Sequence, residues 1–242
     1  MIALYTRNIL ETGTVTVTGT PDAGYPEARL YDRHISLYWK DTVTEAKVFQ
    51  IDQGAANILA VDFLAIEKHN FNGKVMSWEY SDNNIDWTAA VIGWTQGDNN
   101  QIIKTLGAAL THQYWKVTVA SIANPQCSEI FMSYGYEFDY IEKSPYSLTD
   151  QDNVVWVPSI GGLERSTKFG EERWVKGYEV YFTGTQRTNF ESAMGDLDSY
   201  SKPFYLKDDE DNYGLCRLLQ VPSKIFDGEN YVAVDIKVIE EL

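Results

Sequence analysis

Apolar residues at every second position recur along most of the chain, and nothing else constrains its fold as much. In KVMSWEYS, Met76, Trp78 and Tyr80 fall on one side, and Val75, Ser77 and Glu79 on the other. QYWKVTVAS places Trp115, Val117 and Val119 together. ERWVKGYEVYFTG does the same for Trp174, Tyr178, Val180 and Phe182, and YVAVDIKVIEEL for Val232, Val234, Ile236 and Val238. In GTVTVTG, Val15 and Val17 alternate with threonines. A period of two is that of a half-buried strand. The runs are separated by TPDAGYP, SDNNID, TQGDNN, SIGG and FDGEN, whose Gly, Pro, Asn and Asp close turns. Short strands at this spacing predict a mainly β chain built as sandwich or barrel. With 16 Tyr, 10 Phe and 7 Trp there is ample side-chain volume for such interiors.

One stretch breaks the period. TNFESAMGDLDSY predicts a helix near 188–200, with Thr188 as N-cap and Glu191 three residues on. Phe190, Met194 and Leu197 follow at i, i+4 and i+7. Gly195 in its interior costs about 1 kcal/mol relative to Ala. The polar, proline-bearing YIEKSPYSLTDQDN separates two strand-rich halves, so two domains are expected, 1–138 and 139–242.

The composition excludes several functions. The formal net charge is −15, and no cluster of Lys and Arg exists to hold phosphates, so neither nucleic-acid grip nor attraction to anionic lipid is expected. No run approaches 18 apolar residues, and the N-terminus lacks the basic and apolar regions of a signal peptide, so membrane insertion and export are not expected. Cys127 and Cys216 form no CxxC pair and are expected as reduced, buried thiols. His34, His69 and His112 fit no zinc spacing, and no GxSxG elbow, phosphate loop or dinucleotide fingerprint is present. DDEDNYG, 208–214, has the composition of a calcium loop, but its glycine is one place late and the twelfth position is Leu219, so it reads as a solvated acidic turn. No carboxylate pair stands out among the 35 acids as a glycosidase couple, and the chain is expected not to be an enzyme.

Residues 20–138 carry an ordered series of segments: GYPEARLYDRHISLYWK, VFQIDQG, AVDFLAIEKHNFNG, WEYSDNNIDWT, QYWKVTVAS and CSEIFMSYGYEF. The series resembles the discoidin family, the coagulation-factor C-type or galactose-binding-like jelly roll. The resemblance implies that Trp39 plugs one end of the sandwich and that Trp87 anchors a return strand in the core. It also implies a structural calcium on Asp32 and Glu129. The pattern departs there: Arg33 replaces a turn glycine, His34 stands where Asn or Asp is usual, and Leu37 replaces a Thr, so no cofactor is expected. The family binds glycans, lipids or proteins through loops at one end. By that analogy Tyr25, Asp41 and Asn84 are the candidate glycan-binding residues, supplying an aromatic face beside carboxylate and amide.

Residues 150–242 show a Gly-rich turn, then an Arg-x-x-x-Phe-Gly segment from Arg165 to Gly170, a Trp-rich hairpin, the helix, a PFYL strand from Pro203 to Leu206 and a last strand ending in two glutamates. This order resembles the tail-hub β-barrel of distal tail and tail-tip proteins of long-tailed phages. The expectation is therefore a jelly-roll β-sandwich followed by a β-barrel-like domain with one helix. The implied function is structural. The chain would sit in a virion tail tip or baseplate, assembled in the host cytoplasm as a homo-oligomeric ring. It would contact tail-tube, hub and baseplate proteins and present the jelly roll to a host-cell glycan. The alternatives are a carbohydrate-binding module of a surface or secreted protein, and a sugar-acting catalyst.

Overall fold

A computed structural model describes residues 1–138, 149–151, 154–158, 164–168, 173–180, 185–198, 200–227 and 230–241. They form two compact units, Tyr5–Gly135 and a second made of Met1–Leu4 with Tyr136–Leu242. The expected division at 138/139 thus stands beside an observed one at 135/136, with the first four residues joining the far half of the chain.

The Tyr5–Gly135 unit is a sandwich of antiparallel sheets. One has five strands in the order Thr14–Val17, Glu45–Asp52, Tyr114–Ile122, Val75–Ser81 and Thr88–Thr95. The other has three, Glu129–Ser133, Ala60–Glu67 and Ile102–Thr111. The alternation decides which side chains meet between them. Phe49, Ile51, Met76, Trp78, Trp115, Val117 and Val119 from one sheet pack with Val61, Leu64, Ile66, Ile130 and Met132 from the other. Each such side chain, fully buried, contributes about 1.5–3 kcal/mol. Trp39 is fully buried in this core, edge-on to Phe49 at 5.1 Å, where the sequence places it. Trp87 is not in the core. It precedes the edge strand and lies half-exposed with the Lys116 ammonium 4.0 Å over its ring. Lys116 follows core-facing Trp115, so its side chain is on the outer face of the sheet, and Trp87 with it.

In the second unit Tyr136–Phe138 pairs with Ile2–Tyr5, followed in order by Phe204–Lys207, Tyr213–Leu218, Asn230–Glu240, Arg173–Val180 and Thr149–Gln151. Ser223–Asp227 pairs with Asn230–Glu240, and Val154–Pro158 with Glu164–Lys168. Among the described residues the order is open and no barrel closes. The helix spans Thr185–Asp196, with Phe190, Ala193 and Met194 as its buried face and buried Leu197 just beyond its end. It starts before Thr188, which is an interior residue rather than the N-cap. Glu191 turns to Arg187 one turn back, 3.3 Å away, instead of closing a capping box. A second, single-turn helix, Ile9–Thr12, lies in the first unit, capped by Asn8. Phe182, Gly170 and the 139–148 linker lie outside the described residues. Cys127 and Cys216 are free, buried thiols.

Candidate functional site

The sandwich has one end where its connections are tied to one another. Glu45 pairs with Ile122, Val75 with Thr95, and Trp39 with Cys127, so the segments around 18–26, 40–45, 68–74, 96–101 and 123–126 leave the sheets at the same end. Asp22 donates its N–H to the Lys40 carbonyl at 2.8 Å, and Asp41 its own to Pro125 at 3.1 Å. The Asn70 amide donates to the Asn124 carbonyl at 2.9 Å and accepts from the Gln126 N–H at 3.0 Å. His69 accepts from the Phe71 N–H on Nδ1, which leaves the proton on Nε2 to donate to the Asn100 carbonyl at 2.7 Å. Burial pulls the His69 pKa down, so this clamp is a neutral imidazole at neutral pH. Loops held this way lose little entropy when something binds them.

On this end the half-buried Tyr25 is surrounded by cations. The Lys40 ammonium lies 4.4 Å from its ring centroid and the Arg29 guanidinium 5.7 Å. Lys40 also lies 5.6 Å from the Tyr38 ring. Two tyrosines and two cations therefore share one patch. Of these four, the sequence reading singles out Tyr25 and not Arg29, Tyr38 or Lys40. A signal was available: with Trp39 turned into the core, Tyr38 and Lys40 must both turn out on the other face.

Asp41 and Asn84 do not join Tyr25. The Asp41 side chain is fully buried and bonds the equally buried Lys47 ammonium at 2.6 Å. Burial pushes its pKa up, but Lys47 and the Val43 N–H hold it below the ordinary carboxylate value. Lys47 is further bound by Glu45 at 3.0 Å and the Thr18 carbonyl at 3.4 Å, so all three of its N–H groups have acceptors. Asp41 is thus a core ion pair and presents nothing to a ligand. Asn84 is exposed at a positive φ of 60° in the turn after Val75–Ser81 and accepts from Gln50 at 3.0 Å. Gln50 and Lys47 have opposite parity on one strand, so Asn84 meets the outer face of the sheet that Asp41 meets from inside.

The second expected cluster is a closed corner. Glu129 is fully buried, accepting from the Arg33 N–H at 2.9 Å and the Asn8 amide at 3.2 Å. Arg33 has a φ of 62°, the left-handed geometry of the glycine it replaces in the family pattern. Its guanidinium pairs with Glu11, donates to the Thr6 carbonyl at 2.9 Å and lies 5.3 Å over the Phe131 ring. Burial drives the Glu129 pKa well above the ordinary range, with Asp32 and Glu11 pushing the same way against Arg33. Asp32 accepts from the His34 N–H at 2.9 Å, and His34 is exposed. Both Glu129 oxygens are engaged by N–H donors and a guanidinium sits in the same pocket. These residues do not fit calcium, which wants several free oxygen ligands. No group of three or more metal-binding acids, histidines or cysteines occurs among the described residues.

The 208–214 loop is also closed on itself. It joins Phe204–Lys207 to Tyr213–Leu218, but Asp208 is buried rather than solvated. Its carboxylate accepts from the N–H groups of Glu210 and Asn212, at 3.0 and 2.8 Å, and is paired with Lys176.

No family model matches the chain, and no curated protein does. Among solved structures it is similar to chitosan-binding module 1 of a chitosanase/glucanase from Paenibacillus sp. IK-5, at 16% identity over 53% of this chain and 99% of that one, TM-score 0.43. Module 2 of that enzyme, in complex with chitotriose, gives 15% identity over 52% and 100%, TM-score 0.44. CBM32-1 from a family 31 glycoside hydrolase of Clostridium perfringens gives 13% over 53% and 99%, TM-score 0.42. These carbohydrate-binding modules match the first half of the chain.

Proposed function

We propose that the Tyr5–Gly135 unit is a non-catalytic glycan-binding module whose site is the loop end around Tyr25 and Lys40. The observation that carries this reading is the grouping of half-exposed Tyr25 and Tyr38 with Lys40 and Arg29 on loops pinned by His69 and Asn70. Sugars need apolar area for their C–H faces and polar groups for their hydroxyls, at a site that is largely pre-formed. Binding to a glycan array, abolished by Tyr25→Ala with the melting temperature kept, is the expected result. An array with no signal for the natural chain refutes it.

The second unit supports a reading in which this module is carried by an assembly, a phage tail tip or baseplate in the virion, with tail-tube, hub and baseplate proteins as partners. What favours it is the order of the helix Thr185–Asp196, Pro203, the strand Phe204–Lys207 and the long last strand, which follows the tail-hub resemblance. Sedimentation and electron microscopy of the purified chain test it. Rings or tail-bound particles are expected, and a monomer at every concentration that never associates with tail proteins rejects it.

A further inference from the structure

Among the described residues, Lys40 and Arg29 hold no carboxylate in a strongly acidic chain. Acids outnumber bases 35 to 20, and a carboxylate stands within ion-pair distance of many of its cations: Lys47, Lys116, Lys176, Arg187, Lys207, Arg217 and Lys237. Among the described residues, Lys40 and Arg29 have only the tyrosine rings. The acids nearest in sequence do not quench them. Asp41 is committed to Lys47, while Asp22 and Glu27 form no ion pair with either cation.

An exposed cation–π contact is worth only about 0.5–1 kcal/mol, so both side chains can leave the ring at little cost. A charge-assisted hydrogen bond to a carboxylate is about twice as strong as a neutral one, and a guanidinium receives a carboxylate in two-pronged fashion. Distant acids of the chain do not cancel this attraction, because charges beyond about 10 Å are screened at 0.1 M salt.

Resting on the glycan-binding reading, we propose that the site selects sugars bearing a carboxylate, of uronic-acid type, with the carboxylate taken by Lys40 and Arg29 and the sugar ring set against Tyr25 and Tyr38. The two unpaired cations are what a neutral glycan leaves unused.

The test is calorimetry on the full chain with three probes: polygalacturonate, its fully methyl-esterified form and polyglutamate. The esterified polymer keeps the sugar and masks the charge, and polyglutamate keeps the charge without the sugar. Binding of the free acid at least about tenfold tighter than the ester, and of polyglutamate far weaker than either, is expected. Lys40→Met and Arg29→Gln should each bring the acid toward the affinity of the ester, while Tyr25→Ala removes binding of both. Equal affinity for acid and ester overturns the carboxylate selectivity and leaves glycan binding standing. Polyglutamate binding as tightly as polygalacturonate overturns it in favour of simple charge attraction. No binding to any sugar polymer, neutral glycans included, overturns both.

Discussion

Arg33→Gly restores the residue type that the left-handed backbone at this corner favours, yet it should destabilise the protein. The gain is small: relief of a non-glycine φ of 62° is worth about 1–2 kcal/mol. The added freedom of glycine in the unfolded chain returns roughly 0.5–1 kcal/mol of that. The Arg33 N–H still bonds Glu129 after the change, because it belongs to the backbone. What disappears is the guanidinium, 4% exposed, whose partner Glu11 is 20% exposed. Removing one partner of a buried ion pair costs about 3–5 kcal/mol, and the partial hydration of Glu11 places this case near the lower figure. The stacking over Phe131 and one bond to the Thr6 carbonyl are lost as well. The net loss is about 2–3 kcal/mol, or roughly 6–12 °C in melting temperature for a unit of this size. The assay is a thermal melt followed by near-ultraviolet circular dichroism, with and without millimolar calcium. Arg33→Lys, which keeps charge but not the planar fork, should fall between the two. A melting temperature for Arg33→Gly equal to that of the natural chain, or a rise of several degrees when calcium is added to the natural chain, would refute the closed-corner account.

Four further outcomes follow from the sandwich. Lys47→Met strands Asp41 without a cation inside the sandwich and should cost about 3–5 kcal/mol in a denaturant titration. The Asp41 pKa is lowered on folding, so its contribution is present above the ordinary value of 3.8 and lost as pH falls through the folded value; Asp41→Asn should therefore flatten the acid limb of the stability profile below about pH 4 while lowering stability at neutrality. Gly19 has a φ of 101°, and a Cβ there would collide with the Asp41 carboxylate and meet the Lys47 ammonium at 2.5 Å, so Gly19→Ala should be as damaging as the loss of the ion pair, read in the same titration. Trp39→Ala should cost about 3–5 kcal/mol as a core deletion, whereas Trp87→Ala, on the outer face, should cost under about 1 kcal/mol; equal losses would contradict their placement.

Strand parity carried the sandwich from sequence to structure. Phe49 and Ile51, Met76 and Trp78, Trp115 and Val117 all lie where alternation puts them, because a two-residue period admits only two faces. The same rule places Lys47 inward with Phe49, and a lysine at a core position announces a buried carboxylate partner; the family analogy instead makes Asp41 a loop residue that faces a ligand. Trp87 was taken inward because aromatics in strand patterns are usually core, but it precedes its strand and has no parity to obey. Helix 185–196 was found through Phe190 and Met194, while its start was misjudged because Thr188 and Glu191 carry the local signature of a cap that the longer helix overrides. The pairing of Ile2–Tyr5 with Tyr136–Phe138 leaves no local mark, since register between segments so far apart is settled by tertiary packing.

That pairing gives the chain an order of events. During synthesis Ile2–Tyr5 emerges before both of the strands that flank it. Residues 5–135 then form their sheets from sequence already made. Only afterwards do Tyr136–Phe138 and Phe204–Lys207 arrive to enclose Ile2–Tyr5 on both sides. The Tyr5–Gly135 sandwich is in this sense a guest spliced into a host fold, entered and left through adjacent antiparallel strands. A single cut at either junction leaves the Tyr5–Gly135 unit joined through the other, so its release takes two cuts.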